Sequence, residues 1–284
     1  MSNVKMGSYR LQRNFHKTFK PERQYINSML RFAAAGRTGD FHTIASSTRI
    51  PMGTSSGKVP AILDYCKCMG LIRVPINSVH TAIKKPELTN FGRAVLFEDP
   101  FLKCGISQWI AHFNMCSPLY GADVWYQTFF IGAPVFGRKF GRNQLESHLS
   151  LVYGIRKNSL IGPLISMYED EASLKTCGVL SEIEGMIVRR EAPIMDEFIR
   201  GIGAWLLQLI ADHFPKQQQV PISVLDKVAG CRTIPGWTVP IFLTVLELLE
   251  RKDLIMVDRH MNPWLIQPKK EIDEAWRSIY LDII

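Results

Sequence analysis

Long hydrophobic runs are missing from this sequence of 284 residues. The longest apolar run, Gly201 to Ile210, is about half of the roughly 20 residues that a helix needs to cross a bilayer, and Asp212 and His213 follow it. The N-terminal stretch MSNVKMGSYRLQRNFHK also lacks the apolar core of a signal peptide. We therefore expect a cytoplasmic protein with no membrane segment and no membrane partner.

Cysteine pairs at metal-binding spacing are missing as well. The six cysteines include no Cys-x2-Cys, which is the spacing of zinc fingers, and only Cys66 and Cys68 are close in sequence. On a helix, residues two apart point about 160° away from each other, which is poor geometry for one metal ion. The sequence thus predicts reduced cysteines in the core of a cytosolic protein.

Familiar signatures of nucleotide and nuclease sites are not found either. The segment GTSSGK (53–58) is similar to a P-loop, but it has three residues between its glycines instead of four. Val59 also stands where a P-loop has the hydroxyl that holds magnesium. No PD-(D/E)xK or His-x-Asn-His pattern stands out. We expect no nucleotide or organic cofactor.

Acidic residues are scarce in the first third of the chain. Residues 1–93 contain 15 Lys and Arg but 4 Asp and Glu, a balance of +11, whereas the remaining residues contain 19 basic and 22 acidic ones. The excess behind the net charge of +8 is therefore N-terminal. This asymmetry favours a polyanionic partner, with double-stranded DNA as the first candidate, over a basic surface that is merely solvated.

The pattern of apolar residues and helix breakers predicts a mainly α fold in four parts. These are a basic arm (1–20), a winged-helix DNA-binding domain (21–95), a helical middle domain (96–215) and a second winged-helix-like domain (216–284).

The order of elements after the arm indicates the winged helix. A helix begins at Pro21 and ends at Gly36, a short helix is capped by Asp40, and a turn follows at residues 49–53. The third helix, capped by Thr54 or Ser55, ends at Gly70, and residues 71–76 form a strand. In a winged helix, the third helix enters the major groove and the wing approaches the backbone.

The candidate DNA-binding residues are basic or small polar side chains in the arm, the turn, the start of the third helix, the proposed wing tip and a second basic loop at 137–142. They are Arg13, Lys17, Lys20, Arg49, Thr54, Ser55, Ser56, Lys58, Lys84, Lys85, Arg138, Lys139 and Arg142.

The middle and the tail are predicted from helical spacing and turn signals. We expect helices at 142–153, 158–170 and 194–213 in the middle. In the tail we expect helices at 220–229, 236–252 and 270–281, with a hairpin between 253 and 266. The third helix of this second unit carries Glu247 and Glu250, so we expect it to pack or to bind a protein partner and not to contact DNA.

Three residues are candidates for catalysis. His16 lies among Lys17, Lys20 and Arg23, where it could act as a base or metal ligand, or could anchor the arm on the first helix. Asp99 precedes Pro100 and is typical of a turn or cap, with metal binding as the alternative. His112, on an aromatic helix face, is typical of a core histidine.

Several motifs together resemble the SspB-like family of bacterial DNA phosphorothioation proteins. They are FHKTF (15–19), TSSGKV (54–59), MGLI (69–72), LTNFG (88–92), FEDPF (97–101), QWIAH (108–112) and GADVW (121–125). One position departs from the family pattern, since the arginine expected six residues after His16 falls at Glu22, with Arg23 next.

The resemblance implies a component of an anti-phage system in which sulfur replaces a non-bridging phosphate oxygen of DNA. It implies a nicking endonuclease that uses a Mg or Mn ion. It also implies three partners: a cysteine desulfurase, a sulfur-activating ATP pyrophosphatase and an ATPase. Two alternatives remain open: an adaptor that recruits the modification enzymes without catalysis, and a regulator that would bind a palindromic site as a homodimer.

Overall fold

The computed structural model describes residues 10–52, 57–75, 82–154 and 161–283. Helices dominate these residues, which confirms the mainly α prediction, and the strands among them form small antiparallel sheets. Within these ranges, no helix is both long and apolar enough to cross a membrane.

The first two helices begin and end where local sequence signals predict. Helix α1 (Arg23–Ala34) begins after Pro21 and ends before Gly36, whose φ of 63° lies in the left-handed region. Helix α2 (Phe41–Thr48) is capped by Asp40, whose carboxylate accepts a hydrogen bond from the Thr43 N–H at 2.8 Å.

Helix α3 (Val59–Cys68) begins later than the sequence predicts. Its N-cap position is Lys58, so the prediction of a cap at Thr54 or Ser55 is wrong, and both residues lie with Ser56 outside the described residues. The reason is local, because Gly57 has a left-handed φ of 54° immediately before the helix.

A hairpin follows α3. Strand β1 (Ile72–Arg73) pairs with β2 (Glu87–Leu88), and an antiparallel bridge joins Gly39 to Lys84. Lys84 therefore lies beside the segment that precedes α2 and not at the tip of a wing, which corrects the predicted position. Residues 76–81, between the two strands, lie outside the described residues.

The middle of the chain contains most of the remaining helices. They are α4 (Asn90–Glu98), α5 (Gly105–Met115), α6 (Asp123–Tyr126), a π-helical turn (Gln127–Ile131), α7 (Ala133–Phe136), α8 (Arg142–Tyr153), α9 (Ile161–Ser166), a 3₁₀ turn (Lys175–Cys177) and α10 (Asp196–His213). The predicted helices at 142–153 and 194–213 agree with α8 and α10. The one predicted at 158–170 corresponds to α9, which ends earlier, at Ser166, and its predicted first residues, 158–160, lie outside the described residues.

A three-stranded sheet in the middle was not predicted. Strand β3 (Lys139–Gly141) pairs with β5 (Met186–Arg189), which pairs with β4 (Leu180–Ile183). The segment predicted as a second basic loop is thus a strand that leads into α8. The paired residues Phe140 and Ile187 are both buried, and a strand this short shows no alternating pattern in the sequence.

The tail follows the predicted order of elements. It contains β6 (Val220–Pro221), α11 (Ile222–Ala229), α12 (Val239–Arg251), β7 (Ile255–Asp258), β8 (Leu265–Pro268) and α13 (Ile272–Arg277), and its sheet has the order β6-β8-β7. The helix predicted from Val220 begins two residues later, because Val220 and Pro221 pair with β8. The last helix is shorter than the predicted 270–281.

Two helices carry the centre of the core. All residues of α5 from Ile106 to Met115 are buried, and α5 packs against α10. Helix α10 in turn packs against α12 and α13, which joins the tail to the middle. The six cysteines are free thiols, and all except the half-buried Cys104 are buried, as predicted.

Candidate nucleic-acid interface

His16 is enclosed by aromatic rings. Its side chain is 2% exposed, with the Phe15 ring centroid at 5.4 Å and the Trp125 centroid at 6.3 Å. The Thr18 N–H donates to Nδ1 at 3.1 Å, so Nε2 carries the proton of the neutral ring, and Nε2 has no partner among the described residues. Burial lowers the pKa of His16 to about 4. This arrangement fits a residue that anchors the arm better than one that reaches a substrate.

His112 is a core histidine. It is fully buried, and its Nδ1 shares a hydrogen bond of 2.7 Å with the Tyr168 hydroxyl, to which Trp125 Nε1 also donates at 3.1 Å. The Phe129 ring packs edge-on against the imidazole at 4.6 Å. Burial holds the pKa of His112 well below its ordinary value, so the ring stays neutral and organises the core.

Asp99 caps the segment that leads into α5. It is buried, and its carboxylate accepts hydrogen bonds from the Lys103 N–H at 2.7 Å, the Cys104 N–H at 2.9 Å and the Ser107 hydroxyl at 2.7 Å. The Ser107 hydroxyl also lies 2.8 Å from that of Tyr280. These contacts use both carboxylate oxygens, as expected of the turn or cap residue that the sequence indicates.

The side chains of His16, His112 and Asp99 are thus each buried and engaged in hydrogen bonds or ring contacts within the fold. Among the residues that the structure describes, no group of three or more His, Cys, Asp and Glu side chains is arranged to hold a metal ion.

The basic arm packs against the middle of the chain. Arg10 forms an ion pair with Asp123 at 2.9 Å, and its guanidinium lies 4.0 Å from the centre of the Tyr126 ring. The Arg13 guanidinium lies 5.5 Å from the Tyr153 ring centre, and Lys20 pairs with Asp170. Lys17 is exposed, with a left-handed φ of 47°. Much of the arm's charge therefore holds it to the fold.

Helix α3 has little exposed surface. Most of its residues are buried, and Pro60, Asp64 and Lys67 are half-exposed along one edge, with an ion pair between Asp64 and Lys67. Lys58, at its start, forms an ion pair with Glu22 and lies 4.8 Å from the Tyr25 ring centre. The described part of α3 offers few side chains to a groove of DNA.

Helix α2 presents a polar surface instead. His42, Thr43, Ser46 and Ser47 are exposed or half-exposed along it at helical spacing. Arg37 precedes the helix and Arg49 follows it; both are exposed, and neither has a carboxylate partner among the described residues.

The hairpin adds two lysines to this surface. The bridge between Gly39 and Lys84 brings Lys84 and Lys85 next to the start of α2. We call the surface formed by Arg37, the exposed side of α2, Arg49, Lys84 and Lys85 the α2 face. Its carboxylates are engaged, since Asp40 caps α2 and Glu87 pairs with Arg73 at 3.1 Å and with Lys85 at 3.5 Å. Arg37 was missed in the sequence because its position depends on this bridge.

The three cations of the second basic segment, residues 137–142, differ in whether they are ion-paired. Arg138 pairs with Glu191, and Arg142 pairs with Glu182, whereas Lys139 is exposed. The backbone N–H of Arg189 donates to the Arg138 carbonyl at 2.8 Å, so the two arginines are neighbours across the sheet. Arg189 is 8% exposed and was not singled out in the sequence.

Comparison with known proteins identifies the fold. Neither the models of known protein families nor the curated proteins match this chain. A crystal structure of magnesium-bound SspB matches with a TM-score of 0.68 and 13% identity, and a second SspB crystal structure matches with 0.65 and 14%. Each match covers 98% of this chain and 89% of the SspB chain. The chain therefore has an SspB-like fold.

Proposed function

We propose that this protein is a DNA-binding component of a DNA phosphorothioation system and that it binds duplex DNA through the α2 face. The observation that carries the proposal is the bridge between Gly39 and Lys84, which brings the two hairpin lysines beside the start of α2, close to Arg37 in sequence and fold. Its SspB-like fold supports the assignment to such a system. Its partners there would be the desulfurase, the ATP pyrophosphatase and the ATPase.

The α2 face has the chemistry of a phosphate-contacting surface. Arginine, lysine, serine and threonine side chains are among the groups that proteins use to contact the DNA backbone. The order of α1, α2, α3 and the hairpin, together with the isolated bridge at Gly39, supports a winged-helix arrangement, in which a helix beside the recognition helix crosses the DNA backbone. Backbone contacts give affinity without sequence readout.

Replacing Arg37 and Arg49 together by alanine should weaken binding to a short duplex about tenfold at low salt, because two charge-assisted contacts are lost. Each lost phosphate contact should also reduce the slope of log affinity against log salt by about 1. Fluorescence anisotropy over a range of salt concentrations measures both quantities. A double variant of Arg251 and Arg277, two exposed arginines elsewhere, removes the same charge and should bind like the wild type. Equal losses in the two double variants would rule out the α2 face.

Within the system, we propose the role of an adaptor that brings the modification enzymes to DNA. The described residues support binding more than hydrolysis, because His16, Asp99 and His112 are each buried in structural contacts. An adaptor needs a DNA surface and a partner surface but no reacting groups.

Nicking by this chain is the second candidate function, and the magnesium-bound SspB structure favours it. Magnesium in nucleic-acid enzymes is commonly held by one or two carboxylates together with substrate phosphates. The described residues do not assemble a group of three or more His, Cys, Asp and Glu side chains that could hold such an ion.

A supercoiled-plasmid assay separates these two functions. The purified protein with Mg²⁺ or Mn²⁺ should leave the plasmid supercoiled under conditions in which it binds, because no described candidate residue is free to activate water. Open circles that form with the metal ion and disappear with EDTA would establish nicking instead. If His16→Gln abolished such activity without unfolding the chain, the arm would belong to the active site.

A further inference from the structure

A cavity of about 480 Å³ lies between the middle of the chain and the tail. On one side are α7 and the residues at the end of β5, and on the other are the end of α11 and the turn between α11 and α12. Its volume is within the range of small-molecule sites.

The cavity is lined by more cations than acids. Five basic residues and two acidic ones face it, and ion pairs join Arg138 to Glu191 and Arg232 to Asp226. The remaining cations are Arg189, Arg190 and Lys227, and none of the three has a carboxylate partner among the described residues. This imbalance favours an anionic ligand.

Arg189 is built into the cavity floor. Its Nη2 donates to the carbonyls of Thr233 and Ile234, at 2.9 and 2.8 Å, which fixes the guanidinium against the turn. Nε and Nη1 donate no hydrogen bond within the described residues, and neither is fully shielded from solvent. These two donors are therefore available to a ligand in the cavity. A guanidinium held in this way keeps N–H groups that can each donate to a phosphate oxygen.

The lining also has an apolar part. It is formed by the half-buried Phe130 and the exposed Pro134, whereas Trp237 is 3% exposed, stacks on Phe242 and donates its indole N–H to the Ala192 carbonyl at 2.8 Å. An aromatic ring such as that of Phe130 can stack on the flat face of a nucleobase, and such stacking tolerates any base.

We infer that this cavity binds a single nucleotide unit, with its phosphate on Arg189, Arg190 and Lys227 and its base against Phe130 and Pro134. The unit could be a free nucleoside monophosphate or an unpaired nucleotide of a DNA strand, since both present the same phosphate and base. The sequence-based expectation was that the protein has no nucleotide cofactor, and a free nucleotide in this cavity would depart from it. It does not depend on duplex binding by the α2 face.

The test is isothermal titration calorimetry with deoxyadenosine 5′-monophosphate, inorganic phosphate, deoxyadenosine and a short single-stranded oligonucleotide. We expect the monophosphate to bind, deoxyadenosine to bind at least about tenfold more weakly, and Arg190→Glu with Lys227→Glu to weaken binding at least about tenfold. Arg251→Glu with Arg277→Glu makes the same change in charge away from the cavity and should have no effect. Arg190 and Lys227 are both exposed, so the variant with both substitutions should keep its fold.

The outcomes separate the sources of the ligand. Binding of the monophosphate supports the site for a free nucleotide, and binding of the oligonucleotide alone, lost in the cavity variant, supports it for a DNA strand. Binding of no probe, or equal binding by the cavity and control variants, would overturn the inference. Duplex binding by the cavity variant and monophosphate binding by the Arg37/Arg49 variant are measured in parallel, so that failure at one surface is not mistaken for failure at the other.

Discussion

Replacing Gly92 by alanine should lower the free energy of unfolding by at least about 3 kcal/mol. A Cβ at this position would lie 1.8 Å from the carbonyl oxygen of Leu71 and 2.8 Å from its carbonyl carbon. Leu71 is fully buried, and the same carbonyl oxygen accepts a hydrogen bond from the Thr89 N–H at 3.1 Å. Neither backbone can move without breaking the contact between α4 and the hairpin. Denaturant unfolding measures the change.

The chain offers a matched control for this substitution. Gly162, in helix α9, has open space around the position that a Cβ would occupy, with no neighbouring atom within 4 Å among the described residues. Gly162→Ala should therefore leave the protein equally stable or stabilise it by about 0.5 to 1 kcal/mol, because alanine has the higher helix propensity. If Gly92→Ala unfolded at the same denaturant concentration as Gly162→Ala, the close approach of α4 to Leu71 would be refuted.

Stability should fall as the pH is lowered from 6.5 towards 4, and His16 should account for a large part of the loss. Burial lowers the pKa of His16 from 6.5 to about 4. Between these values the unfolded chain binds a proton that the folded one does not, so protonation favours unfolding, and above pH 6.5 the effect vanishes. At 1.36 kcal/mol per pKa unit, the largest loss is about 3 kcal/mol.

His16→Gln isolates this contribution, because glutamine keeps a polar side chain but does not titrate. We expect the difference in unfolding free energy between wild type and variant to change by about 2 to 3 kcal/mol between pH 7.5 and pH 4. His112 and His213, whose pKa values burial also lowers, are present in both proteins and cancel in the comparison. Parallel pH profiles for the two proteins would mean that His16 is accessible to solvent, which would reopen its candidacy as a base.

The features that the sequence predicted well are those with local causes. The start and end of α1, the Asp40 cap of α2 and the bounds of α8 depend on residues within one turn of each position. Glycines and prolines act through the φ and hydrogen bonding of their own backbone, so their effects can be read without knowing the fold. The start of α3 also has a local cause, the left-handed φ of Gly57, but the prediction overlooked it and placed the cap too early.

The features that were missed or changed depend on residues far apart in sequence. Strand β3 exists because β5 pairs with it from more than forty positions away. From the sequence, Lys58 is predicted to be an exposed cation at the start of the third helix. In the fold it forms an ion pair with Glu22, the residue that precedes α1.

The same distinction applies to the functional surfaces. Sequence alone determined that the positive charge is N-terminal, that the chain is mainly helical and that Asp99 and His112 are typical of structural positions. Only the tertiary structure decided which cations remain without acidic partners, because each ion pair depends on which elements meet. It left Arg37 and Arg49 without a carboxylate partner among the described residues, and it enclosed Arg189 beneath the turn of the tail. The number and order of charged residues follow from the sequence alone, whereas the ion pair that each one forms depends on which elements pack together.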